Sequence, residues 1–238
     1  MKAENRKRVQ AFLAIAVVLA GIRVLLIYRG RHAQPAKTTA SQATPLKAEY
    51  YVTPKKLYPF DLKSARQLTQ QPVWIKEGYR YTYYPYISAH HSADLDHQAG
   101  LLGPLEKLNV KDVVSQKLPH SGGREQLLAI FEKDGKTHAV PIGTLRDGTY
   151  QIYSDEMFFI QDPRQLYDAW PTDVWDAIAQ HQVKPGMDEL QATFAIGMGV
   201  PERSDDPAVK TVNYPNGGKP IVVTYRDGKA EAIKPASA

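Results

Sequence analysis

Residues 124–153, REQLLAIFEKDGKTHAVPIGTLRDGTYQIY, decide what kind of fold this chain makes. Two apolar runs, 126–131 and 137–142, flank Glu132-Lys133-Asp134-Gly135-Lys136. An Asp-Gly pair supplies the positive φ that a tight hairpin turn requires. The two runs are therefore expected to pair antiparallel. A second pair, Asp147-Gly148, precedes 150–153, and the apolar run 157–160 follows. Together these features predict a small antiparallel meander.

Upstream, residues 63–70 read as a short helix or turn. Residues 78–87, GYRYTYYPYI, alternate Tyr79, Tyr81 and Tyr83. That alternation predicts a strand with one aromatic face, ended by Pro85. Such a face packs on a core or stacks a sugar. Residues 100–116 predict a helical turn after Pro104 and a second turn at Asn109.

Downstream, helical signals take over. Asp162 before Pro163 places a capping carboxylate ahead of a proline at the first helical position, opening a helix at 163–168. Pro171 opens another, with Val174, Trp175, Ile178 and Ala179 on one stripe. Asp188 caps a helix at 189–196, with Leu190, Phe194 and Met187 on its apolar side, and Gly197 and Gly199 stop it. Strands at 209–214, 220–225 and 229–233 follow, separated by turns at 215–218 and Asp227-Gly228.

The charge is unevenly spread. The 238 residues carry 30 Lys+Arg against 25 Asp+Glu. Residues 1–46 hold Lys2, Arg6, Lys7, Arg8, Arg23, Arg29, Arg31 and Lys37 against Glu4, a net +7, which leaves −2 for everything after. The basic balance is thus a property of the N-terminal fifth, and bulk electrostatics do not draw the rest toward a phosphate backbone. No nucleic-acid partner is expected. The chain has no cysteine, which removes disulfides, thiolate metal sites and a lipid-modified cysteine.

Between the basic clusters runs VQAFLAIAVVLAGIRVLLIY at 9–28. As a helix it would be about 30 Å long, the thickness of a bilayer core. Arg23 lies near its end, where a long stem reaches the interface. A cleaved signal peptide competes with this reading, but no small-x-small cleavage site follows. The expectation is an uncleaved single-pass signal anchor with a cytoplasmic N-terminus. It puts the body in the cell envelope, on the periplasmic side of a bacterial inner membrane. Residues 30–46, small and polar with proline, read as a tether.

The expected organisation is therefore α+β: a cytoplasmic tail and transmembrane helix at 1–29, a flexible linker at 30–46, an antiparallel-sheet-rich region at 47–160, and a helix–helix–sheet unit at 161–238.

Part of the last unit has a further likeness. Residues 183–190 (VKPGMDEL), 197–201 (GMGVP), Val212-Asn213-Tyr214 and 222–229 (VVTYRDGK) form a sequence of GM turn, short helix, G-x-P stop, aromatic strand and apolar strand ending in D-G-K. This run resembles the SmpA/OmlA (BamE-like) family of small outer-membrane assembly proteins, over about a fifth of the chain. The resemblance implies two helices packed on an antiparallel sheet and a non-enzymatic envelope role. The chain departs from the family in lacking a lipoprotein cysteine and in carrying a long extra body before the unit.

The densest cluster of chemistry-bearing residues is 89–97, AHHSADLDH. His90, His91, Asp94 and His97 are candidate metal ligands, because imidazole and carboxylate together bind zinc-like ions. In a helix, His90, Asp94 and His97 would share one face. His120-Ser121-Gly122-Gly123 lacks the strand–turn–helix pattern of a nucleophile elbow, and there is no phosphate loop, dinucleotide glycine pattern or HExxH. No enzyme activity and no cofactor are expected. The leading expectation is a membrane-anchored binding or assembly module engaging an envelope protein partner through a sheet edge or groove. Tyr79, Tyr81, Tyr83, Tyr214 and Tyr225 are its candidate contact residues. The alternatives are a metal-dependent enzyme or sensor at His90–His97, or a glycan (peptidoglycan) binder using the tyrosine face.

Overall fold

The computed structural model describes residues 20–25, 28, 52–119, 121–204 and 206–236. The chain divides into two compact units, Met1–Lys47 and Ala48–Ala238.

The expected membrane anchor is overturned. Among the described residues no helix is long and apolar enough to cross a membrane. In the first unit, helical backbone is described at 20–25 and at 28. Arg23 is one of these residues. The rest of the expected span, the tail before it and the tether at 30–46 lie outside the described residues. The single-pass, signal-anchor and periplasmic-side assignments, and the fold class that began with a transmembrane helix, are corrected accordingly.

The second unit is sheet-rich, and its helices are short. It opens with α1 (Leu62–Ala65), which runs into a 3-10 turn at Arg66–Gln70. Asp61 starts α1 by accepting the Ser64 N–H at 2.7 Å, while Ser64 Oγ accepts the Asp61 N–H at 3.0 Å, a reciprocal cap. Then come β1 (Val73–Ile75), β2 (Thr82–Ile87), a 3-10 turn at Ser88–His90, β3 (Ser92–Ala93), β4 (Gly100–Leu101), β5 (Lys107–Leu108) and β6 (Val110–Lys117). The helical turn expected after Pro104 is instead a turn into β5. The tyrosine strand starts at Thr82 and passes through Pro85, which lies opposite His138.

The meander follows as β7 (Glu125–Lys133), β8 (Lys136–Arg146) and β9 (Thr149–Ile152). Its turns carry the backbone the Asp-Gly pairs were expected to supply. Asp134 and Gly135 have φ 51° and 71°, and Asp147 and Gly148 have φ 51° and 76°, closing Lys133 on Lys136 and Arg146 on Thr149. A seven-stranded sheet results, with β3-β2-β8-β7-β6 in order, β4 beside β2 and β9 beside β8. Because β7 runs along one edge of β8, β2 and β9 share the other, β2 at 138–139 and β9 at 143–146.

After α2 (Ser154–Met157), β10 (Phe158–Phe159) joins β1 and β5 in a three-stranded sheet, order β10-β1-β5. One face of the large sheet packs on this small sheet and on the Arg66–Gln70 turn. The core there includes Leu68, Val73, Ile75, Leu127, Phe131, Val140 and Ile142. Burial of that apolar surface is the main favourable term in the fold.

The C-terminal part contains α3 (Pro163–Leu166), α4 (Thr172–Ala179), α5 (Glu189–Ile196) and a four-stranded sheet, β11 (Val200–Pro201), β12 (Val209–Tyr214), β13 (Ile221–Arg226) and β14 (Lys229–Pro235), paired in that order. Asp188 caps α5 with Gln191 in the reciprocal arrangement. Gly197 ends it at φ 84°, ψ −174°, a conformation essentially reserved to glycine. Trp170, Trp175, Ile178, Phe194, Ile196, Val212, Tyr214, Val223 and Tyr225 form the second core, and Phe159 of β10 belongs to it.

Candidate functional site

A groove of about 650 Å³ is lined by β1, the turn at 103–106, the end of β7, α3 and α4. Alternation along β1 builds its floor. Val73 and Ile75 are fully buried in the first core, so Trp74 takes the opposite face and lines the groove. Leu105, held at φ 48°, donates its N–H to Ile75 at 3.1 Å, while Ile75 donates to Glu106 at 3.0 Å. That pairing sets Leu105 beside Trp74. Trp175 and Ile178 of α4 complete the apolar lining, with Trp175 packed 5.2 Å from Trp170.

The carboxylates of the groove are already engaged. Glu106 accepts the Gly103 N–H at 2.7 Å through one oxygen and the Lys133 ammonium at 2.5 Å through the other. Asp162 accepts the Arg164 N–H at 2.9 Å as the cap of α3. His181 faces the Ala195 carbonyl through Nδ1 at 3.1 Å. A carbonyl only accepts, so Nδ1 holds the proton in that contact.

The cations are placed differently. The Arg164 guanidinium lies 5.7 Å from the Trp175 ring centroid, and the Lys107 ammonium lies 5.5 Å from that of Trp74. Neither is paired with a carboxylate among the described residues. Both are held by aromatic rings. This arrangement can grip a ligand by apolar contact and by charge. No serine, threonine or tyrosine is among the described lining residues.

The residues singled out from sequence lie elsewhere. His91 adopts a left-handed backbone, φ 49°. The chain therefore reverses between His90 and Asp94, and the helical face that would have aligned His90, Asp94 and His97 never forms. His97 Nδ1 does meet Asp94 at 3.0 Å. Its hydrogen bond is the main cause holding the Asp94 carboxyl below the usual carboxylate range. His90 and His91 are exposed. Among the described residues no group of three or more His, Asp or Glu is placed to hold a metal ion. The loop is pinned from the sheet: the Gln116 amide accepts the Ala93 N–H at 2.6 Å and donates to its carbonyl at 3.0 Å. His120 lies outside the described residues.

The tyrosines are structural. Tyr83 is 9% exposed and packs edge-on against Phe131 and His138, at 5.9 and 4.9 Å. Tyr79 leaves the strand with φ 62° and donates its N–H to Leu102 at 2.7 Å. Its ring fills the space a side chain on Gly217 would need. Tyr81 is half-buried, and burial first, then Glu77, pushes its hydroxyl up to about 12. Tyr79 and Tyr81 are half-buried and Tyr83 is buried, so these three make no exposed row. Tyr214 and Tyr225 are 1% and 2% exposed. Their hydroxyls meet at 2.7 Å inside the second core, and burial raises both, Tyr214 to about 12. Their strands are interior as well, β12 between β11 and β13, β13 between β12 and β14. The outer edge of β14 is met at Ala230 by the Gly186–Met187 backbone and ends in Lys234 and Pro235, residues that blunt an edge.

The groove residues Trp74, Leu105, Glu106, Lys133, Arg164 and His181, and Lys107 next to Trp74, were not singled out. Two signals were present: the Trp175 stripe and the Asp162-Pro163 cap, which fixes where Arg164 begins its helix. Comparison with protein-family models, with curated proteins and with solved structures found no match for this chain.

Proposed function

We propose that the chain is a non-enzymatic binding or assembly module that engages a protein partner through the groove between Trp74 and Trp175. The observation that carries this reading is the pairing of an apolar floor (Trp74, Leu105, Ile178) with carboxylates already spent in internal hydrogen bonds. The carboxylates of such a site give contact area and orientation rather than a poised acid or nucleophile, and its one histidine, His181, has Nδ1 committed to the Ala195 carbonyl. The sheet edge, the other surface considered, is a weaker support, because β12 and β13 are flanked on both sides. An assembly role is also what the SmpA/OmlA resemblance implied, and here it stands on the groove alone.

Photo-crosslinking in cells tests the reading. A photoreactive residue placed at Arg164 or His181 should give the same discrete protein adduct. The same residue at Lys117, on the distant end of β6, should not. Adducts equal at all three positions, or none at the groove, overturn it.

A further inference from the structure

We propose that the occupant of this groove is an acidic peptide segment bearing a large apolar side chain, clamped by Arg164 and Lys107. The inference rests on the protein-binding reading above and adds the chemistry of the partner.

Charge is the first argument. Glu106 is ion-paired with Lys133 and accepts the Gly103 N–H, and Asp162 is tied to the start of α3, so the groove's acids do not pair with Arg164 or Lys107. Arg164 and Lys107 have no carboxylate partner among the described residues. The chain beyond residue 46 is net −2, so two unpaired cations beside one groove are a local feature and not part of a general positive field. An incoming carboxylate completes what the fold leaves open.

The second argument is order. Each cation is already held over a tryptophan ring, at 5.7 Å and 5.5 Å. A guanidinium already held over a ring loses less side-chain freedom when it binds, and its planar fork matches a carboxylate through two parallel hydrogen bonds. The third argument is shape. Trp74, Leu105 and Ile178 form a floor that accepts an apolar side chain. Near-neutral bulk charge gives a nucleic acid no long-range attraction.

Selection of a random displayed peptide library on the full chain tests this. The expected consensus has Asp or Glu around one large apolar residue. Synthetic peptides of that consensus should bind about tenfold or more weakly to the double variant Arg164→Gln, Lys107→Gln. Both positions are exposed, so the fold is retained, which circular dichroism checks. Binding should also fall in Leu105→Gly, which removes the floor at a left-handed position that glycine adopts freely. A neutral or basic consensus that depends on Leu105 overturns the acidic partner while the protein-binding reading stands. A consensus indifferent to Leu105→Gly, or no enrichment, overturns both.

Discussion

The guanidinium of Arg164 sits 5.7 Å from the ring centroid of Trp175. That contact holds a charged group beside an apolar groove. Lysine keeps the charge but loses the planar, bidentate fork. Arg164→Lys is therefore expected to weaken binding of an acidic peptide several-fold and to change stability by less than about 0.5 kcal/mol, as for an exposed surface position. Peptide titration and thermal unfolding on the same variant separate the two effects.

The Tyr214–Tyr225 hydroxyl pair predicts a coupling. Removing the Tyr214 hydroxyl leaves that of Tyr225 buried without its partner, at a cost of about 1–3 kcal/mol, whereas removing that of Tyr225 leaves Tyr214 its bond with Thr193. Tyr214→Phe should destabilise the fold by that order, and Tyr225→Phe by less. The double variant should cost less than the sum of the two. Urea denaturation of the four proteins in the cycle measures it.

The same pair sets an alkaline limit. Burial raises both hydroxyls, Tyr214 to about 12. In the unfolded chain each tyrosine titrates near 10. Below that pH both states are neutral, and the contribution of the pair is fully present. Above it the unfolded chain sheds protons that the fold retains, so stability falls as pH rises. The slope approaches about 1.4 kcal/mol per pH unit for each tyrosine. Unfolding free energies across this range should be flat to about pH 10 and fall beyond it. In the Phe–Phe variant the fall should be shallower.

Gly197 predicts an asymmetry between glycines. A Cβ there would lie 2.5 Å from the Gly78 carbonyl oxygen, and the backbone is at φ 84°, ψ −174°. Gly186, at φ 88°, has nothing within 4 Å of such a Cβ. Gly197→Ala should cost more than about 2 kcal/mol, combining strain with a backbone clash. Gly186→Ala should cost about 1 kcal/mol from conformation alone. Thermal unfolding of the two variants gives the comparison.

Features set by neighbours in sequence were legible. Each Asp-Gly pair closes the hairpin expected of it, and the third does so at Asp227-Gly228 with φ 48° and 76°. Asp162 and Asp188 cap the helices whose starts they mark, although the first ends at Leu166 rather than 168. Local chemistry decides these features, because a side chain two or three residues away supplies the bond.

What failed depended on distant partners or on a single backbone angle. Trp74 pairs with Phe159 across the three-stranded sheet, a relation no local pattern carries. Alternation placed Tyr79, Tyr81 and Tyr83 on one face, but the left-handed backbone of Tyr79 takes it out of the strand and the core claims Tyr83. One left-handed residue, His91, likewise dissolved the helical metal face. The groove itself draws on positions from Trp74 to His181. Its cations are ordinary exposed residues in sequence, and only the rings beneath them make them distinctive.

The central claim is that a partner occupies the groove between Trp74 and Trp175. The most direct measurement is the tryptophan indole N–H resonances of the ¹⁵N-labelled full chain, recorded as the crosslinked partner is added. The account predicts that the Trp74 and Trp175 signals move in step with binding, and that the shifts shrink in Leu105→Gly. Unmoved indole signals, with the backbone shifts gathered instead along the outer edge of β14, would contradict it.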